Sequence, residues 1–190
     1  MRLSGVAARA AVSVLLALCM GLPPAPAFEA PRAPGATGRS GPPFTIGGFE
    51  YTLMPQGIHM NICNQRSCGP GSKVSYILFG PRPQLTFQAY KAQRAEIAAQ
   101  FKKVAPAGVT FTFKPPTQQR TKLFTFLESH RITKAADGQK EVTISRTILT
   151  KNMSIDLIST ARDEKLANAN LAPFTLAALV VADVGGQAKR

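Results

Sequence analysis

Apolar and polar residues alternate along the first third of this chain, then recur at helical spacing, then alternate again. Residues 44–54, 58–62 and 73–79 alternate well enough to predict three short strands. The third is rich in Val, Tyr, Ile and Phe, residue types that suit a half-buried pleated surface. Gly47-Gly48 marks a bulge or tight turn, Pro55-Gln56-Gly57 turns the chain, and Gly80-Pro81-Arg82-Pro83 stops the third strand. The period then changes. Phe87, Tyr90, Ile97, Phe101 and Val104 form one apolar stripe, which predicts a long helix over 84–105. Pro106 and Gly108 end it, with Lys102 and Lys103 in a last turn where cations suit the helix dipole.

Residues 109–114 predict a further strand, and Pro115-Pro116 breaks it. Residues 122–133 and 142–150 then alternate about Asp137-Gly138, a favoured hairpin turn. A turn centred on that dipeptide pairs residues whose numbers sum to an odd value. Phe124, Phe126, Glu128, His130 and Ile132 then share a face with Thr143, Ser145, Thr147 and Leu149. The opposite face holds Leu123, Leu127, Val142, Ile144, Arg146 and Ile148. Lys151-Asn152 turns the chain into a strand over 154–159. Thr160-Ala161-Arg162-Asp163 has the form of a capping box, opening a helix over 162–170. Pro173 permits a fresh helix start over 174–183, too short to cross a bilayer, and 185–190 reads as a frayed basic tail. These elements predict an α+β fold: an antiparallel β-sheet of about six to seven strands with one long central helix and a C-terminal helix packed against it, in a single domain over 44–184.

The first 43 residues change the picture of compartment. Arg2 and Arg9 precede an apolar run over 10–22, and Ala25-Pro26-Ala27 is an A-x-A cleavage pattern. Residues 1–27 therefore read as a secretory signal peptide, and the chain as exported to a periplasmic or extracellular space. Leu18 stands before Cys19 where a lipoprotein signal calls for a small residue. Residues 28–43, rich in Pro, Gly, Ala and Ser, read as a flexible leader. Beyond it no transmembrane segment is expected.

Loss of the leader removes Cys19 and leaves Cys63 and Cys68. In an oxidising compartment this pair predicts a disulfide. A redox-active pair, the second reading, usually shows C-x-x-C opening a helix, whereas these residues are spaced C-x4-C between strands. A zinc site needs four ligands, and His59 and His130 are the only histidines. The loop from Cys68 to Ser72 lacks the Lys and following helix of a phosphate cradle. No metal or cofactor is expected.

Lys and Arg number 23 against 10 Asp and Glu, a net charge of +13, and loss of Arg2 and Arg9 leaves +11. Such a chain is drawn to anionic material, either a surface or an envelope protein. The basic residues are dispersed, with no helix-turn-helix signature, no zinc-finger spacing and no aromatic-basic alternation, so sequence-specific nucleic-acid binding is not indicated. Arg94 falls on the apolar stripe of the long helix. A guanidinium there requires a buried polar or anionic contact, unless it turns outward at the stripe edge. Glu128 and His130, two apart on a strand, point the same way and are the one candidate acid–base pair, but no nucleophile accompanies them. No residue is assigned a catalytic role.

The meander over 123–159, leading through Ser159-Thr160-Ala161 into a final apolar helix containing Phe174, resembles the PsbP/Mog1/DcrB type of small α+β domain. The likeness is one of topology and covers about half the chain. It implies a non-enzymatic accessory or binding role. The leading expectation is thus a non-catalytic, exported binding module of the cell envelope with a basic surface. The alternatives are a small hydrolase or transferase using Glu128 and His130, and a thiol oxidoreductase at Cys63 and Cys68.

Overall fold

A computed structural model describes residues 42–187, with side chains as far as Ala182. The cleavage pattern, the leader as far as residue 41, and the last three residues of the basic tail lie outside the described residues. The eight strands are β1 (Phe49–Met54), β2 (Ile58–Cys63), β3 (Lys73–Phe79), β4 (Thr110–Phe113), β5 (Thr117–Arg120), β6 (Phe124–Lys134), β7 (Lys140–Thr150) and β8 (Ser154–Ala161). They form one antiparallel sheet in the order β1-β2-β3-β8-β7-β6-β4, with β5 also paired to β6. Helix α1 (Phe87–Lys103) joins β3 to β4, and helix α2 (Glu164–Gln187) follows β8.

The expected α+β architecture is present, with three differences. The extra strand is β5, whose sequence Thr-Gln-Gln-Arg is exposed throughout and carries no apolar alternation. The longest helix is the C-terminal one, 24 residues against 17 for α1. It is also continuous where two helices were expected. Pro173 lies within it, opposite the exposed Ala169, whose carbonyl loses its helical partner where water can replace it. Asp163, rather than Thr160, caps α2: its Oδ1 accepts from the Leu166 amide at 2.8 Å, while Thr160 stays in β8.

The β6–β7 register is the even one, with Phe126 opposite Ile148 and His130 opposite Ile144. Gly138 takes the left-handed conformation (φ 83°) as the last residue of a three-residue turn, so Ala135 and Gln139 close the hairpin. One residue of slip transposes every side chain of one strand. Phe124, Phe126, Glu128, His130 and Ile132 therefore share their face with Val142, Ile144, Arg146 and Ile148. That face continues through Leu157 and Ile155 of β8 and Val74 and Tyr76 of β3.

Helix α2 covers this face. Ala167, Ala178 and Ala182 let its backbone approach, and Leu171 and Phe174 fill the space between helix and sheet. Phe174 packs edge-on to Phe49 at 5.2 Å and Phe44 at 6.1 Å, and Phe44 stacks on Tyr76 at 4.3 Å. Complete burial of such a ring contributes about 2–3 kcal/mol. By length and composition Glu164–Ala182 could cross a bilayer, so the argument from a ten-residue helix does not hold; its inner stripe is instead packed on the sheet. Helix α1 lies against β4 and β6 on the opposite face. Thr86 caps it, and Val104 is 60% exposed at its end rather than part of the buried stripe.

Candidate functional site

Cys63 closes β2, and a disulfide joins it to Cys68 with 5.8 Å between the Cα atoms. Both residues are buried. The bridged loop is a seat for α2: Asn170 Nδ2 donates to the Cys68 carbonyl at 2.8 Å, and Leu166 packs on Gly69 so closely that a Cβ there would lie 2.5 Å from its Cδ2. Gly69 also holds a φ of 74°, which favours glycine.

Glu128 and His130 are brought together by the pleat, with His130 Nε2 2.8 Å from Glu128 Oε1. The other ring nitrogen, Nδ1, is 3.0 Å from Oε1 of Glu164 in the first turn of α2. A neutral imidazole has one N–H and can donate to only one carboxylate, so both contacts are hydrogen bonds together only in the imidazolium form. The hydrogen bond from Glu128 is the main cause raising the His130 pKa above 6.5, and it outweighs burial. The same bond is the main cause lowering Glu128 below its ordinary 4.5. Arg146 completes the cluster, with Nη2 2.6 Å from Glu128 Oε2 and Nη1 donating to Thr175 Oγ1 at 2.9 Å. Lys114 pairs with Glu164 at 2.7 Å and holds the Glu164 carboxyl down.

Two acids and three cations from β6, β7, α2 and the β4–β5 link are thereby consumed by one another. Glu128 and His130 side chains are only 18% and 16% exposed, and both nitrogens of the imidazole are engaged. The chemistry available to this group is ion pairing that ties α2 to the sheet. Arg146 escaped the sequence reading because the odd register put it on the other face. Lys114 and Glu164 gave no local signal, being 16 positions before and 34 after His130.

Arg94 lies on the opposite side of the sheet, at a cleft of about 370 Å³ between α1 and β6–β7. Its guanidinium carbon sits 4.7 Å from the centre of the Tyr90 ring, and its Nε is buried with no hydrogen-bond partner among the described residues. Tyr90 is fully buried and donates toward Ser129 Oγ at 3.2 Å. Burial raises its hydroxyl pKa, an effect the Arg94 charge opposes. Arg131 enters from β6, its guanidinium 4.4 Å from the Phe101 ring centre and bonded to Thr143 Oγ1 at 3.0 Å. Arg94 therefore neither lies wholly outside nor meets a carboxylate.

One end of the sheet is chemically distinct. The β1–β2 turn, the end of β3, the β5–β6 turn and the β7–β8 turn meet there, as the pairs Met54–Ile58, Phe79–Ser154 and Phe124–Thr150 require. It exposes Leu53 (59%), Met54 (39%), Phe79 (37%) and Leu123 (81%). Arg120, Lys122 and Lys151 stand exposed beside them. The acid nearest these turns, Asp156, is taken up by Arg82, which makes two bonds to it at 2.7 and 3.1 Å.

No protein-family model matches the chain, and no curated protein does. Among the described residues no group of three or more His, Cys, Asp or Glu is placed to hold a metal.

Proposed function

We propose that this protein is an exported, non-catalytic accessory module of the cell envelope that seats one end of its sheet on an anionic lipid surface. The observation that carries this reading is the pairing of exposed apolar side chains with basic ones at that end. Leu53, Met54, Phe79 and Leu123 are large hydrophobic groups at turns and strand ends, where little else covers them. Apolar groups of this kind gain by entering the headgroup region, while neighbouring Arg and Lys remain at the phosphate level. Each basic residue near an anionic leaflet adds about 1 kcal/mol. The Glu128–His130–Glu164 cluster supports the non-catalytic part, because its acids and base already satisfy one another.

The test is sedimentation of residues 28–190 with vesicles of mixed phosphatidylglycerol and phosphatidylcholine, against vesicles of phosphatidylcholine alone. Binding to the first, weakening steeply between low and moderate salt, is the expected result. Lys122→Glu with Lys151→Glu lowers the partition coefficient by about tenfold or more, at about 1 kcal/mol per basic residue lost. Leu123→Asp lowers it on its own. Absence of sedimentation at low salt, or equal sedimentation with both vesicle types, overturns the reading.

A further inference from the structure

We infer that the cleft between α1 and the sheet is a binding site for a small amphipathic oxyanion, a carboxylate or phosphate group carried on an apolar body. This goes beyond membrane seating and uses a different part of the molecule.

Three observations point to it. First, the cleft brings a guanidinium from each wall, Arg94 from α1 and Arg131 from β6, and among the described residues no Asp or Glu lines it. An oxyanion entering the cleft would gain charge-assisted bonds from guanidiniums of this kind. Second, Arg94 is half made for such a bond. The Tyr90 ring fixes its plane, and its Nε proton is withdrawn from solvent without an acceptor. A buried N–H left unbonded is costly, and a ligand oxygen would remove that cost. Third, the rest of the wall has two characters. Ser129, Thr143 and Ser145 of the sheet offer hydroxyls beside the guanidiniums, while Ile97, Phe101 and Phe113 offer apolar surface. A bare inorganic ion would leave that apolar part unused, and an uncharged apolar molecule would leave the Nε of Arg94 unbonded. A single ring bearing a charged oxygen group suits both, and the volume admits it.

The planar fork of arginine accepts carboxylate and phosphate alike, so the two share the proposal and the experiment separates them. Side-chain NMR signals of Arg94 Nε and the Tyr90 ring are followed while the native protein is titrated with phenyl phosphate, benzoate, inorganic phosphate and benzyl alcohol in turn. Phenyl phosphate or benzoate is expected to shift both signals saturably, the tighter of the two naming the natural head group. Inorganic phosphate is expected to bind at least tenfold more weakly, and benzyl alcohol to shift neither signal. Arg94→Gln weakens binding of the tighter probe by about tenfold or more, whereas Lys140→Gln, exposed on the β6–β7 hairpin outside the cleft, changes it by less than about threefold. Vesicle sedimentation of Arg94→Gln stays as in the native protein, so failure here is distinct from failure of the membrane reading. The inference is overturned by no saturable shift with either charged ring, by inorganic phosphate binding as tightly as phenyl phosphate, or by unaltered affinity in a folded Arg94→Gln. The native titration decides the matter alone if that variant does not fold.

Discussion

His130 Nδ1 lies 3.0 Å from Glu164 Oε1, across the joint between the sheet and the first turn of α2. With Glu128 on its other nitrogen, the ring sits between two carboxylates that favour its cationic form. The folded-state pKa of His130 is raised above 6.5, so its contribution is complete below pH 6.5 and is lost as pH rises through the folded value. Glu128 is depressed below 4.5, so its contribution is complete above pH 4.5 and is lost as pH falls through the folded value. Their joint contribution is therefore greatest between pH 4.5 and 6.5. The gap in melting temperature between native protein and His130→Gln should be widest in that window and narrow as pH rises above it. Thermal unfolding monitored by circular dichroism across pH 4 to 9 measures this. A gap that is constant with pH would show His130 to be neutral.

Arg146→Met removes one of the two cationic partners of Glu128 and leaves a carboxylate, 18% exposed, with His130 alone. Losing one of the two cations around that carboxylate costs roughly 1–2 kcal/mol, discounted from the fully buried case because some solvent reaches it. Urea denaturation should register that loss. The double variant Arg146→Met, Glu128→Leu should recover only part of it, because it removes the carboxylate but also takes from His130 its Nε2 partner.

Phe174→Ala opens a cavity where Phe44, Phe49 and Tyr76 converge. The expected cost is about 3–5 kcal/mol, seen as a lower urea midpoint. Leu176→Ala, two residues on but 66% exposed, should change the midpoint little.

Gly69→Ala meets two penalties at once, a positive φ and the Leu166 side chain. It should destabilise by roughly 1–2 kcal/mol. Opening the bridge with Cys63→Ser and Cys68→Ser should cost about 2 kcal/mol, the loop being short. In both variants hydrogen exchange should speed up first in the early turns of α2, because Asn170 and Leu166 rest on that loop.

What the chain spells out is local and periodic. Alternation in 73–79 marks β3 because a strand buried on one face must alternate, and the recurring Tyr90, Ile97 and Phe101 mark α1 for the corresponding reason. The two cysteines lie five apart between strands, which is enough to place the bridge. Legibility fails where geometry depends on a single torsion or on a distant partner. Whether Gly138 ends a three-residue turn or sits within a two-residue one is settled by hairpin closure, and it alone decides which face Arg146 joins. Strand β5 has no side-chain pattern; the free edge of β6 calls it into the sheet through backbone bonds. Arg94 stood out as a charge on an apolar stripe, but its neighbour Arg131 comes from a strand 37 positions away and could be paired with it only in three dimensions.

The hydrogen bond from Asn170 to the Cys68 carbonyl spans 102 positions, and the helix that makes it is the last element of the chain. Until α2 docks, the oily side of the sheet has no lid. A chain interrupted before α2 would therefore lose the cover of its core, not a peripheral tip.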